Sequence, residues 1–120
     1  MSSQHLLPDD YKSDTKPSWC PGCSVYGVMA TLTRVFSEKQ INPLTTNLIS
    51  GIGCSSRMPH YFKTFGMHTL HGRAIPVAIG SRLSRPDIKT IVIGGDGDLF
   101  SIGTNHFVHA ARKNFDITVI

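Results

Sequence analysis

The sequence predicts an α/β fold, a parallel sheet with helices on both faces, and three observations carry that reading. Thr90-Ile-Val-Ile93 is a β-branched run that suits a strand covered on both sides. Gly94-Gly-Asp-Gly-Asp98 breaks the run where the strand should end at its C-terminal edge. Ligands bind at that edge in open α/β sheets, because loops and helix N-termini converge there. The third observation is the order along the chain: helix, strand, helix, strand, helix, strand, with short connections, which is the pattern of a parallel sheet.

Residues 1–18 are polar and carry Pro8 and Pro17; they read as an extended N-terminal arm without a core of its own. Residues 19–120 read as the N-terminal part of a domain that continues beyond Ile120. Trp19-Cys-Pro-Gly-Cys23 ends the arm, and a helix is predicted from Ser24 to about Lys39. Its stripe is Val28, Leu32 and Val35, widened by Met29 and Phe36, with Ser24 as cap and Asn42-Pro43 as the stop. Thr46 to Ser50 reads as a strand, followed by the glycine-bearing turn Gly51-Ile-Gly-Cys-Ser-Ser-Arg57. Met58 to Phe65 suits one short helix and Gly66 to Arg73 a loop. A helix follows from Arg73 to Ser84, with Pro76 tolerable in its first turn. After the Asp-rich turn, Thr104 or Asn105 caps a helix through Lys113, and Ile117 opens the next strand. That last strand runs to Ile120 with no polar tail, so the sequence reads as the front part of a longer protein.

Composition sets bounds. At 120 residues, 40% of them hydrophobic, the chain can build one small core. Lys and Arg outnumber Asp and Glu by 12 to 8, but the cations are scattered, so no nucleic-acid partner is expected. A phosphate-bearing cofactor or an acidic protein partner accounts for the same balance. No segment approaches the roughly 20 apolar residues of a membrane span. The first ten residues lack an apolar signal core, so a cytoplasmic protein is expected.

The chemistry concentrates in the turns. Asp96, flanked by glycines, suits a hard cation that carries a phosphate, since Mg²⁺ takes one or two carboxylates plus phosphate oxygens. A hairpin through Asp-Gly is the plain alternative, but the segment after Asp98 reads as a helix, not a returning strand. A calcium loop fits less well still, because the oxygen-bearing residues stop at Asp98, short of the EF-hand spacing. Cys20 and Cys23 are spaced to aim both sulfurs at one metal, and Cys54 lies in the other glycine-rich turn. Three thiolates fall one short of the four of a cubane cluster or a structural zinc. The fourth ligand is then His60, His68 or His71, or a residue past 120.

Two other readings of the cysteines stay open: a zinc-stabilised α/β binding module, and a Cys-x-x-Cys dithiol oxidoreductase. The dithiol motif should follow a buried strand, whereas Lys12 to Ser18 precede it here. His71 and Arg73, around Gly72, could donate to a diphosphate, and Arg57 could hold an anionic group, with a solvated surface arginine as the alternative. His106 and His109 read as packing or solvent-facing residues.

Taken together, Trp19-Cys-Pro-Gly-Cys23, Gly51-Ile-Gly-Cys-Ser55, His68-Thr-Leu-His-Gly-Arg-Ala74, Gly94-Gly-Asp-Gly-Asp98 and Asn105-His-Phe-Val-His-Ala-Ala-Arg112 resemble a family. It is the β subunit of 2-oxoacid:ferredoxin oxidoreductases, the subunit with the thiamine diphosphate-binding fold, and residues 11–120 carry the likeness. The resemblance implies that Cys20, Cys23 and Cys54 ligate a [4Fe–4S] cluster whose fourth cysteine lies beyond Ile120. It implies that Asp96 binds the Mg²⁺ of the cofactor's diphosphate, with Gly97 and Asp98 beside it; the second magnesium ligand, an asparagine, is also past the end. Ile52, Gly53, Cys54 and Ser55 would line the cofactor and His71 would contact its diphosphate. Ser24 stands where a third glycine is common, which leaves every ligand in place. The implied reaction is oxidative decarboxylation of a 2-oxoacid to an acyl-CoA, with electrons to ferredoxin and an α subunit completing the site. Arg57-Met-Pro-His-Tyr61 leans towards the 2-oxoglutarate type.

Overall fold

A computed structural model describes residues 5–120. Its centre is a parallel sheet of four strands: β1 (Thr46–Ser50), β2 (Phe65–His68), β3 (Lys89–Ile93) and β4 (Thr118–Val119). Their order is β2-β1-β3-β4. Three helices complete the frame: α1 (Val25–Glu38), α2 (Ala74–Ser84) and α3 (Thr104–Lys113).

The two-residue period of the strands builds two cores at once. Leu48 and Ile93 point to the side of α1, where they meet Met29, Leu32 and Phe36; Ile49 and Val92 point to the side of α2 and α3, against Ile75, Ala78 and Ala110. The register aligns Leu48 with Ile91, Ile49 with Val92 and Ser50 with Ile93, so each face receives a continuous apolar row. Leu48, Ile49 and Val92 are fully buried, each contributing about 1.5–3 kcal/mol by leaving water. Helices therefore cover both faces, as the alternating pattern predicts.

The details depart from the sequence reading in five places. Of the expected arm, residues 1–4 lie outside the described residues, and the rest docks instead of trailing: a 3₁₀ turn (Pro8–Tyr11) drives Tyr11 to full burial. The Tyr11 hydroxyl donates to Phe36 O at 2.9 Å and Ile41 O at 2.8 Å, sharing its proton between a carbonyl in α1's last turn and one just past the helix. Second, β2 occupies part of the expected loop; all four of its residues are exposed, so it carries no apolar alternation to read. Third, α1 is rotated from the expected stripe, burying Met29, Leu32, Thr33 and Phe36 and leaving Val28 and Val35 more than a third exposed. Fourth, Ser24 stands at the N-cap of α1 but its side chain makes no capping bond, and Gly103 takes the N-cap of α3 while the Thr104 hydroxyl donates backwards to Ser101 O at 2.8 Å. Last, the short helix after the Cys54 turn is a 3₁₀ segment (Ser55–Tyr61) and starts earlier than expected. Among the described residues no helix is long and apolar enough to cross a membrane.

Candidate functional site

Three loops meet at the C-terminal edge of the sheet. Gly51 to Cys54 follow β1, Thr69 to Arg73 follow β2, and Gly94 to Asp96 follow β3 and lead into a wide π-type helical turn (Gly97–Ile102). Their meeting point is Asp98, which is 3% exposed. The Ile52 N–H donates to its Oδ2 at 3.1 Å, and the Gly72 N–H to its Oδ1 at 2.7 Å. His71 Nδ1 lies 2.5 Å from Oδ1. A carboxylate only accepts, so Nδ1 carries the hydrogen of that contact. Gly51 packs so closely that a Cβ there would stand 1.7 Å from Asp98 Oδ2, and Gly72 takes the left-handed φ of +69° that favours glycine.

Above Asp98 lies a cleft of about 380 Å³. Ile52, Gly53, Cys54, Ser55, His71, Asp96, Gly97 and Asp98 all line it, so the eight residues expected around a cofactor and its metal share one cavity. Asp96 and Asp98 differ sharply: Asp96 is exposed at the mouth, Asp98 is buried and fully engaged. The sequence reading missed two lining residues, Gly95 and Val25. Val25 opens α1 and so sets the positive end of that helix's dipole beside the wall, although the Tyr26, Gly27 and Val28 amides are already bonded to Cys23 O and Ser24 O; the predicted helix start at Ser24 was the available signal. A roomier cavity between α1 and the end of the chain, about 480 Å³ and lined by Val28, Thr31, Leu32 and Ile120 among others, holds no titratable side chain and offers no comparable chemistry.

The cysteine loops adjoin this cleft. The Trp19 indole N–H donates to Cys54 O at 2.6 Å, tying Trp19-Cys-Pro-Gly-Cys23 to the Gly51–Ser55 turn. Trp19 is held edge-on by Tyr26 and Tyr61, at ring distances of 5.1 and 5.0 Å. All three cysteines are free thiols; Cys20 and Cys54 are exposed and Cys23 is half-buried. Their backbones are latched together, yet among the described residues no three Cys, His, Asp or Glu side chains gather tightly enough to hold a metal. The donor set suits a thiophilic centre, while a ready cage is absent. His60 and His68 stack on each other at 5.3 Å, and His68 Nδ1 donates to Ser56 O at 2.9 Å. Arg57 donates to Ser18 Oγ at 2.8 Å, and Arg73 to Gly72 O at 3.3 Å; both side chains remain exposed.

The cleft's residue types fit a diphosphate with its cation: close-approach glycines, a helix N-terminus, a histidine and one open carboxylate. Residues 51–120 match the family model described as thiamine pyrophosphate enzyme, C-terminal TPP binding domain. The chain belongs to that family. The TPP-binding domain is also similar to "2-oxoacid:ferredoxin oxidoreductase 1, subunit beta" of Aeropyrum pernix, 46% identical over 92% of this chain and 35% of the relative. The 2-oxoglutarate oxidoreductase subunit KorB of Mycobacterium tuberculosis is 44% identical over 92% of this chain and 30% of the relative. Among solved structures, the 2-oxoglutarate:ferredoxin oxidoreductase of Magnetococcus marinus, with 2-oxoglutarate, coenzyme A and succinyl-CoA bound, superposes with a TM-score of 0.95 at 47% identity. That match covers 98% of this chain and 40% of the other. The chain thus spans about a third of the length of the relatives it matches.

Proposed function

We propose that this chain is the diphosphate-binding part of the β subunit of a 2-oxoacid:ferredoxin oxidoreductase. In this reading the subunit, with an α subunit, converts a 2-oxoacid and coenzyme A to an acyl-CoA and passes electrons to ferredoxin. The observation that carries the reading is the cleft in which one open carboxylate, Asp96, stands among three glycine-bearing loops and a helix N-terminus. The relatives' names support the reaction class, and the neighbour's bound 2-oxoglutarate and coenzyme A support the substrate class. The cytoplasmic location expected from the sequence goes with this reading.

Thiamine diphosphate supplies, when bound, the electron-accepting ring on which decarboxylation depends. The residues of this chain would do the positioning. Asp96 would hold the Mg²⁺ of the diphosphate, which needs few carboxylates because phosphate oxygens complete its shell. The Ile52–Ser55 loop and Gly97 would let the backbone approach the phosphates, and His71 would contact them through Nε2, the nitrogen that Asp98 leaves free. Cys20, Cys23 and Cys54 would give three of the four thiolates of a [4Fe–4S] cluster. Exposed Arg57 and Arg73 would attract anionic substrate groups, and Arg57 favours a dicarboxylic acid such as 2-oxoglutarate.

Titration of thiamine diphosphate into the full-length subunit complex, with and without Mg²⁺, tests the central claim. Asp96→Asn should lower magnesium-dependent affinity at least about tenfold with the thermal midpoint unchanged; equal affinity would remove Asp96 from this role. Anaerobically purified full-length protein should be brown, with about four iron and four sulfide per β subunit. Colourless protein with one zinc would overturn the cluster and favour a binding module.

A further inference from the structure

We propose that Asp98 is a positioning residue: its buried carboxylate ties the Gly51–Ile52 turn and the His71–Gly72 turn to the helical turn that follows Asp96, and so fixes the cleft before any cofactor arrives. The inference rests on the reading of the cleft as a thiamine diphosphate site only for what the cleft holds.

Asp96 and Asp98 are two residues apart on one helical turn, and such residues do not face each other. Asp96 faces the cleft mouth and Asp98 faces the protein. Burying a carboxylate is costly unless donors surround it, and here three N–H groups from two other loops do so. Hydrogen bonds to an ionised acceptor are also stronger than neutral ones. Both oxygens are therefore spent inward, one on Ile52 and one on His71 and Gly72, and the open carboxylate of the pair is that of Asp96. The geometry demands its surroundings in turn. No side chain at position 51 could coexist with Oδ2 at its present place. His71 is pinned through Nδ1 while its side chain stays 44% exposed, which leaves Nε2 as the ring nitrogen free to meet a ligand.

The proposal makes an asymmetric demand on Asp98→Asn. An asparagine can keep its carbonyl oxygen where Oδ1 receives His71 and Gly72, but its NH₂ then confronts the Ile52 N–H, donor against donor. Hydrogen–deuterium exchange on the cofactor-free, full-length subunit complex reads this directly. In the wild type the Ile52 and Gly72 amides should exchange about a hundredfold more slowly than free loop amides, despite lying in loops. In Asp98→Asn, exchange at Ile52 should rise at least about tenfold while Gly72 stays slow. Half-saturating thiamine diphosphate should rise about tenfold, with the rate at saturation falling by less than about threefold, because a loosened cleft is re-ordered by the ligand. A lesion that merely damages the fold would lower both together.

Fast exchange at Ile52 and Gly72 in the wild type would overturn the proposal, and that measurement holds even if the variant does not fold. Cofactor affinity within about twofold of wild type in a folded Asp98→Asn would overturn it too. Failure of the wild-type protein to bind thiamine diphosphate would instead sink the cofactor reading, with the exchange data still deciding the latch.

Discussion

At Gly51 a single hydrogen atom stands where any other residue would place a carbon, against a carboxylate that cannot retreat. Asp98 is held by Ile52, Gly72 and His71, so the overlap of a Cβ with Oδ2 must be relieved by moving β1's exit or breaking the latch. Gly51→Ala should therefore lower stability by about 1–3 kcal/mol, read as a drop in the urea midpoint, and weaken cofactor binding with it. A Gly53→Ala control separates crowding from backbone conformation: its Cβ would meet nothing within 4 Å, and its cost comes only from a φ of +102°. The Gly-Asp-Gly-Asp motif was legible as a turn at a strand's C-terminal edge, and the cleft brings together Ile52 to Ser55, His71 and Asp96 to Asp98, while the nominated Cys20, Cys23, Arg57 and Arg73 are not in its lining. What the sequence could not reveal was which aspartate turns inward. That depends on where the π-type turn begins relative to the sheet edge, and on donors brought from positions 52, 71 and 72 by folding.

Among the elements, β3 announced itself through the β-branched run Thr90 to Ile93, and β1 through Leu48 and Ile49 at its buried centre. By contrast β2, Phe65-Gly-Met-His68, is an exposed edge strand held by backbone pairing to β1, and backbone pairing leaves no mark on side-chain pattern. The N-terminal turn was hidden for another reason: one aromatic residue, Tyr11, anchors it through a long-range contact. Tyr11→Phe should cost about 1–3 kcal/mol in urea unfolding, because the two carbonyls that receive the hydroxyl lose their shared donor. The pH dependence follows from the same burial. Desolvation, assisted by the negative charge of Asp10, holds the Tyr11 phenol above its ordinary value of 10.0. The folded state thus favours the neutral form, so this contribution is complete below pH 10 and disappears as pH rises through the higher folded value. Comparing unfolding at pH 8 and at about pH 11 should show the wild type losing more stability than Tyr11→Phe; equal losses would contradict the assignment.

For the whole molecule, the sheet is the wall between two cores, and a hole on one side should be felt across it. Ile49 is fully buried among Ala74, Ile75, Ala78 and Val92, so Ile49→Ala should cost about 2–5 kcal/mol in chemical denaturation. Its backbone neighbour Leu48 serves the opposite core, and the two lesions should add only partly, since both strain the same strand. Function is distributed on the same scale. The chain spans about a third of its relatives and, in the proposed reading, carries only part of each metal site, so the 120-residue chain alone should show no 2-oxoacid-dependent electron transfer. Turnover by the isolated chain would contradict the proposed division of labour between this segment and the rest of the enzyme. The α/β architecture was readable from the alternation of patterns. The buried face of α1 was readable only in part: Met29, Leu32 and Phe36 were expected and are buried, whereas Val28 and Val35, as apolar as these, stay outside the core.

Trp19 gives the cysteine loops an optical voice. It is the chain's single tryptophan, 6% exposed, with its indole N–H committed to Cys54 O and its neighbours in sequence leading to Cys20 and Cys23. Its emission should therefore be that of a shielded indole and should respond to what the thiols hold. An absorbing iron–sulfur chromophore would darken it, a colourless zinc ion would leave it bright, and unlatching of the Cys54 turn would shift it to the red. One unlabelled fluorescence spectrum of this chain thus distinguishes three states of a region that its side-chain geometry leaves open.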